Sequence, residues 1–113
     1  MKYMLLICRD ESIELSPQER ADIGPSTDAW VTEMDGRGVR LQGQQLRPVS
    51  DATTVRVRGE DVLLADGPFA ETKEQIAGFD LIECADLDEA IEVASKHPVA
   101  RFGTIEVRPF WME

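Results

Sequence analysis

The chain opens on a segment with no polar face. From Lys2 to Arg9, Tyr3, Leu5 and Ile7 alternate with Met4, Leu6 and Cys8, so a strand here carries apolar side chains on both sides. Such a strand is central to its sheet and covered above and below. Ser16-Pro17-Gln18-Glu19 is a helix start, with Ser as cap, Pro in the first turn and Glu19 completing a capping box. Gly24-Pro25 predicts an interruption. Ser26 or Thr27 restarts the helix, which carries Ala29, Trp30 and Met34 on one side and ends at Gly36-Arg37-Gly38. Val39 to Leu46 reads as a second strand, weakened by Gly43 and its glutamines.

Thr54 to Arg58 and Val62 to Ala65 flank Gly59-Glu60-Asp61 and predict a hairpin. A loop over 66–75 leads to a strand from Gly78 to Cys84. Asp86 caps a second helix with Glu89 as its reciprocal partner; Leu87, Ala90, Ile91 and Ala94 form its expected buried stripe, and His97-Pro98 closes it. In the last strand, Thr104 to Phe110, Ile105 and Val107 face one way and Thr104, Glu106 and Arg108 the other; if the first pair lies under the helices, Glu106 and Arg108 point into the dimer cleft. This order predicts an α+β fold, a ferredoxin-like split βαβ with an extra β-hairpin. Both helices cover one sheet face. The other apolar face of the first strand then calls for a second copy of the chain, hence a homodimer.

The 113 residues suit one domain spanning 1–113, with no internal repeat or linker. A formal charge of −10 argues against nucleic acid as a partner, and against anionic membrane surfaces. No apolar run approaches a bilayer span, and the N-terminus reads as a strand rather than a signal peptide, so a cytoplasmic location is expected. Cys8 and Cys84 each lie in an apolar run near the C-terminal end of a strand. Antiparallel neighbours place them at opposite edges of the sheet, so they are expected to be unbonded.

The segment Asp66-Gly67-Pro68-Phe69-Ala70-Glu71-Thr72-Lys73-Glu74 resembles the motif of the DGPF branch of the YCII-related family. Lys2 to Leu6, Gly78 to Ile82, Asp86 to Ala90 and Glu106 to Phe110 extend the resemblance along the chain. It implies a dimeric α/β barrel. Some members of the wider family carry a proposed dyad, a His on the first helix and an Asp before a Pro after the second. Here the first helix has no histidine and His97-Pro98 stands at the Asp-Pro position, so that dyad does not carry over. DGPF proteins also occur beside sigma factors of the extracytoplasmic-function type, which implies an accessory role as readily as an enzymatic one.

The candidate chemistry is spread over three segments. Asp66 is either a structural acceptor for the amides of its own loop, with Phe69 anchored in the core, or a general base at a cleft mouth. Lys73 and Glu74 are solvated loop charges or a polar rim for a ligand. His97, the one histidine, is a helix-terminal cation favoured by the helix dipole or a catalytic group. Glu106 and Arg108 are a solvated strand pair or, through Arg108, a fork for a carboxylate. No cofactor motif and no metal-loop spacing occurs. The leading expectation is a homodimer binding a small polar molecule in a cleft lined by Asp66, Lys73 and Arg108, with or without catalysis. The alternative is a non-catalytic accessory module contacting a sigma factor.

Overall fold

The computed structural model describes residues 1–111. In chain order the elements are β1 (Lys2–Arg9), α1 (Pro17–Gly36), β2 (Arg40–Gln45), β3 (Thr53–Arg58), β4 (Asp61–Asp66), β5 (Gln75–Glu83), α2 (Leu87–Ser95) and β6 (Thr104–Pro109). Four strands form one antiparallel sheet in the order β2-β5-β1-β6, which is the split βαβ order expected from the sequence. As its two-sided apolar pattern requires, β1 lies inside the sheet, between β5 and β6.

The core lies on one face only. Tyr3, Leu5 and Ile7 of β1 and Ile82 of β5 pack with Cys84 against Trp30 and Met34 of α1 and Ala90, Val93 and Ala94 of α2. The opposite face carries two cross-strand rows, Leu81–Met4–Arg108 and Phe79–Leu6–Glu106, with Gln42 and Gln44 of β2 at their ends. Met4, Leu6, Phe79 and Leu81 are only half-buried there. Cys84 belongs to the core and pairs through its amide with Met1, whereas Cys8 lies at the other end of β1; both thiols are free.

No barrel forms. The dimeric α/β barrel implied by the family resemblance is corrected to an open sheet, because the four strands stop at the edges β2 and β6 and, among the described residues, neither edge pairs with a further strand. Closure needs more strands than four and a matching stagger. The two strands that could have extended the sheet instead pair only with each other, as a separate hairpin. Arg58 opposes Asp61, leaving Gly59 and Glu60 as a two-residue turn. Positive φ at Gly59 but not at Glu60 is the type II′ pattern, whose twist suits a hairpin. Val55, Val57, Val62, Leu63 and Leu64 are all exposed on this arm.

Two helical expectations also change. α1 runs through Pro25 without a break. A proline ring clashes with the Cβ and N–H of the residue before it; with Gly24 there, the Cβ part of that clash is absent. The Thr27 hydroxyl also donates to the Ile23 carbonyl at 2.7 Å, within the same turn. On α2 the buried stripe is Ala90, Val93 and Ala94, while Leu87 and Ile91 are half-exposed.

Pro25 still removes one helical hydrogen bond. Pro25→Ala is expected to stabilise the fold by roughly 1–3 kcal/mol, read as a higher denaturant midpoint at unchanged slope. A lower midpoint would mean that Pro25 itself is needed to seat Trp30 and Met34.

Candidate functional site

A cleft of about 380 Å³ opens between α1 and the helix-covered side of the sheet. Its polar wall is made by Arg9 of β1, Thr27 and Asp28 of α1, Arg40 of β2, Asp80 of β5 and His97, which follows α2. Ile7, Ile23, Val31 and Val99 supply apolar walls.

Asp80 holds a core-facing position. It alternates with Gly78 and Ile82 on the buried side of β5 and is 6% exposed. Arg40 reaches it from the neighbouring strand, its Nε donating to Asp80 Oδ1 at 2.9 Å, and a second carboxylate, Asp35, lies 3.5 Å from Arg40 Nη1. Burial raises the Asp80 pKa, and the hydrogen bond and charge of Arg40 oppose the rise. Gly43 makes room for this pair: a Cβ there would stand 1.9 Å from Asp80 Oδ1. The glycine that weakens β2 as a strand is therefore the residue that lets a carboxylate lie flat across it.

His97 is built into the cleft by the chain that follows it. Preceding Pro98, it takes an extended conformation and caps the short 3-10 turn Pro98–Arg101. Its Nδ1 accepts the Val99 amide N–H at 3.1 Å. Trp30 meets the ring edge-on, with centroids 4.8 Å apart, and is itself fixed by its Nε1 donating to the Val93 carbonyl at 3.0 Å. Burial pushes the imidazole pKa down to about 4. The expected helix-terminal cation is thus corrected to a neutral ring. With Nδ1 engaged as acceptor, the ring proton sits on Nε2, the nitrogen left for a ligand.

The other residues singled out in the sequence lie elsewhere. Asp66 ends β4 on the exposed hairpin, opposite Thr53, and its carboxylate accepts no hydrogen bond among the described residues. The turn beyond it is held by main chain and by Thr54. Gly67, at φ +93°, donates to the Ala52 carbonyl at 2.7 Å and accepts from the Thr54 hydroxyl at 2.8 Å. Phe69 is 79% exposed rather than anchored in the core. Lys73 is exposed, and Glu74 accepts from the Thr104 hydroxyl at 2.7 Å. Glu106 and Arg108 pair with each other on the uncovered sheet face. No residue from Asp66 to Glu74 lines the cleft, so His97 is the one member of that set found there. Among the described residues, no three His, Cys, Asp or Glu side chains gather as a metal site.

Asp80 and Arg40 carry a signal that the sequence offered. A carboxylate at a core-facing position in an otherwise apolar alternation is rare without a partner. Arg40, at the start of the adjoining strand, is that partner.

The model of the YCII-related domain matches residues 1–112. This chain belongs to the YCII-related family. An uncharacterized protein of Rhizobium meliloti (strain 1021) is 36% identical, the match covering 96% of this chain and 91% of that one. Among solved structures, this YCII-related chain is similar to the 5-chloro-2-hydroxyhydroquinone dehydrochlorinase of Burkholderia phenoliruptrix AC1100, in complex with 2,5-dihydroxybenzoquinone. The TM-score is 0.57 at 14% identity, covering 100% of this chain and 96% of the other, a likeness of fold.

The depressed His97 pKa fixes the sign of a pH effect. The unfolded imidazole takes a proton near pH 6.5, which the folded one refuses until about 4. The stability it supports is full above pH 6.5 and is lost as pH falls toward 4, by at most about 3 kcal/mol and less as water at the cleft mouth screens the ring. His97→Asn keeps an acceptor for the Val99 amide and removes the titration. Denaturant unfolding of both proteins from pH 7 to 4 is expected to show wild type losing stability faster. Parallel curves would place the ring in water.

Proposed function

We propose that the cleft binds a small hydroxylated or carbonyl compound and moves a proton on it. One observation carries this reading: a neutral histidine, its Nδ1 already occupied, shares a 380 Å³ cleft with the buried carboxylate of Asp80. His97 Nε2–H donates a hydrogen bond to the oxygen on which negative charge develops, with no proton lost from the ring. Asp80, made more basic by burial while Arg40 opposes that rise, accepts the proton released from carbon or oxygen. The pairing of an uncharged imidazole donor with a carboxylate base suits enolisation and elimination next to a carbonyl. The similar Burkholderia protein, a dehydrochlorinase in complex with 2,5-dihydroxybenzoquinone, supports a substrate of that size and oxygen content.

The assembly follows from the uncovered face. We place the chain in the DGPF branch, on its Asp66–Glu74 motif, and assign the face bearing Met4, Leu6, Phe79 and Leu81 to a second copy of the chain. The exposed hairpin reaches out to the same partner. An isolated two-stranded hairpin is marginal in water, so the arm gains its stability from what it packs on. The remaining reading, an accessory module on a sigma factor of the extracytoplasmic-function type, would use this arm as its contact surface.

Titration of the isotope-labelled protein with 2,5-dihydroxybenzoquinone is the direct test. Amide shifts are expected at Ile23–Val31, Gly43–Gln45, Gly78–Asp80 and His97, and they are expected to vanish in Asp80→Asn and His97→Ala. Shifts confined to the hairpin, or none at millimolar ligand, would overturn the cleft as the binding site. Light scattering at micromolar concentration is expected to give the dimer mass. A monomer would leave the arm to a different protein.

A further inference from the structure

The cleft holds two arginines in different states. Arg40 is satisfied by Asp80 and Asp35. Arg9 is not: its Nε is buried and has no hydrogen-bond partner, and among the described residues no carboxylate lies within ion-pair distance of its guanidinium. It is held all the same. Its guanidinium carbon stands over the Phe102 ring, 5.8 Å from the centroid, at the end of the innermost strand. Phe102 itself packs on the core. A fixed guanidinium stacked on one face keeps its N–H fork free at the edge, and that fork matches a carboxylate with two parallel hydrogen bonds.

We infer that Arg9 is the anion subsite of the cleft, and that the natural ligand is a small organic carboxylate. This rests on the cleft being the binding site, as proposed above, and adds the ligand's charge class. The count of charges limits the anion. Arg40 is already faced by Asp80 and Asp35, and Asp28 also lines the cleft, which leaves Arg9 as the cation without a carboxylate partner among the described residues. A carboxylate adds one negative charge beside that unpaired cation. A phosphate ester would bring close to two, against three carboxylates already present. The apolar walls Ile23, Val31 and Val99 then take the carbon skeleton.

The test compares two probes of one shape, 2-hydroxybenzoate and its neutral amide, by calorimetric titration of the full chain. Wild type is expected to prefer the carboxylate by roughly tenfold or more. In Arg9→Gln that preference is expected to fall to near unity, with the amide's affinity little changed. Arg9→Lys keeps the charge without the fork and is expected to retain part of the preference, which also covers the case of a glutamine variant that does not fold. Equal binding of the two probes by wild type, or an undiminished preference in Arg9→Gln, would overturn the anion subsite while leaving the cleft intact. Failure of both probes to bind, with the quinone still producing shifts at His97 and Asp80, would overturn the carboxylate class alone. Failure of all three would remove the cleft reading with it.

Discussion

A strand that cannot bear water on either side governs this molecule. β1 puts Tyr3, Leu5 and Ile7 under the helices and Met4, Leu6 and Cys8 on the far face, and strands pair with it on both edges. Both helices pack on the side of Tyr3, Leu5 and Ile7, and the inner wall of the cleft is the part of that side that α1 does not fill. Leu5, wholly buried, anchors the packed end; Ile7 and Arg9, further along the strand, become cleft wall. The site is the place where the core runs out.

That geometry explains how much the sequence reveals. The alternation along β1 and β6, the capping box at Ser16 and the cap at Asp86 are local, short-range signals, and each appears in the fold where its residues place it. The continuity of α1 through Pro25 depends on a glycine one position earlier, a detail that a proline read alone conceals. The barrel failed for a different reason. Whether the hairpin joins the sheet is a long-range pairing choice, and nothing in Val55 or Val62 says which edge, if any, they meet.

The site was legible in one residue out of its three central ones. His97 stands out by type, but its charge state does not, since burial under Trp30 is a tertiary fact that reverses the helix-dipole expectation. Asp80 and Arg40 lie some 40 positions apart in sequence and meet only through the pairing of β2 with β5. Asp66, the first residue of the motif, ends an exposed strand away from the cleft. That turn is held through Gly67 of the motif, by the Ala52 carbonyl and the Thr54 hydroxyl, which lie outside the motif.

The pairing of β2 with β5 has a consequence for how such a chain can change over time. The arm of β3 and β4 is inserted between the two strands that bring Arg40 to Asp80, yet it shares no ladder with either. Closing a longer loop costs only about 0.6 kcal/mol for each doubling of its length. Lineages can therefore lengthen, shorten or recolour the arm at small cost to the Arg40–Asp80 ion pair. The arm and the sheet that carries that pair are free to drift on separate clocks within one short polypeptide.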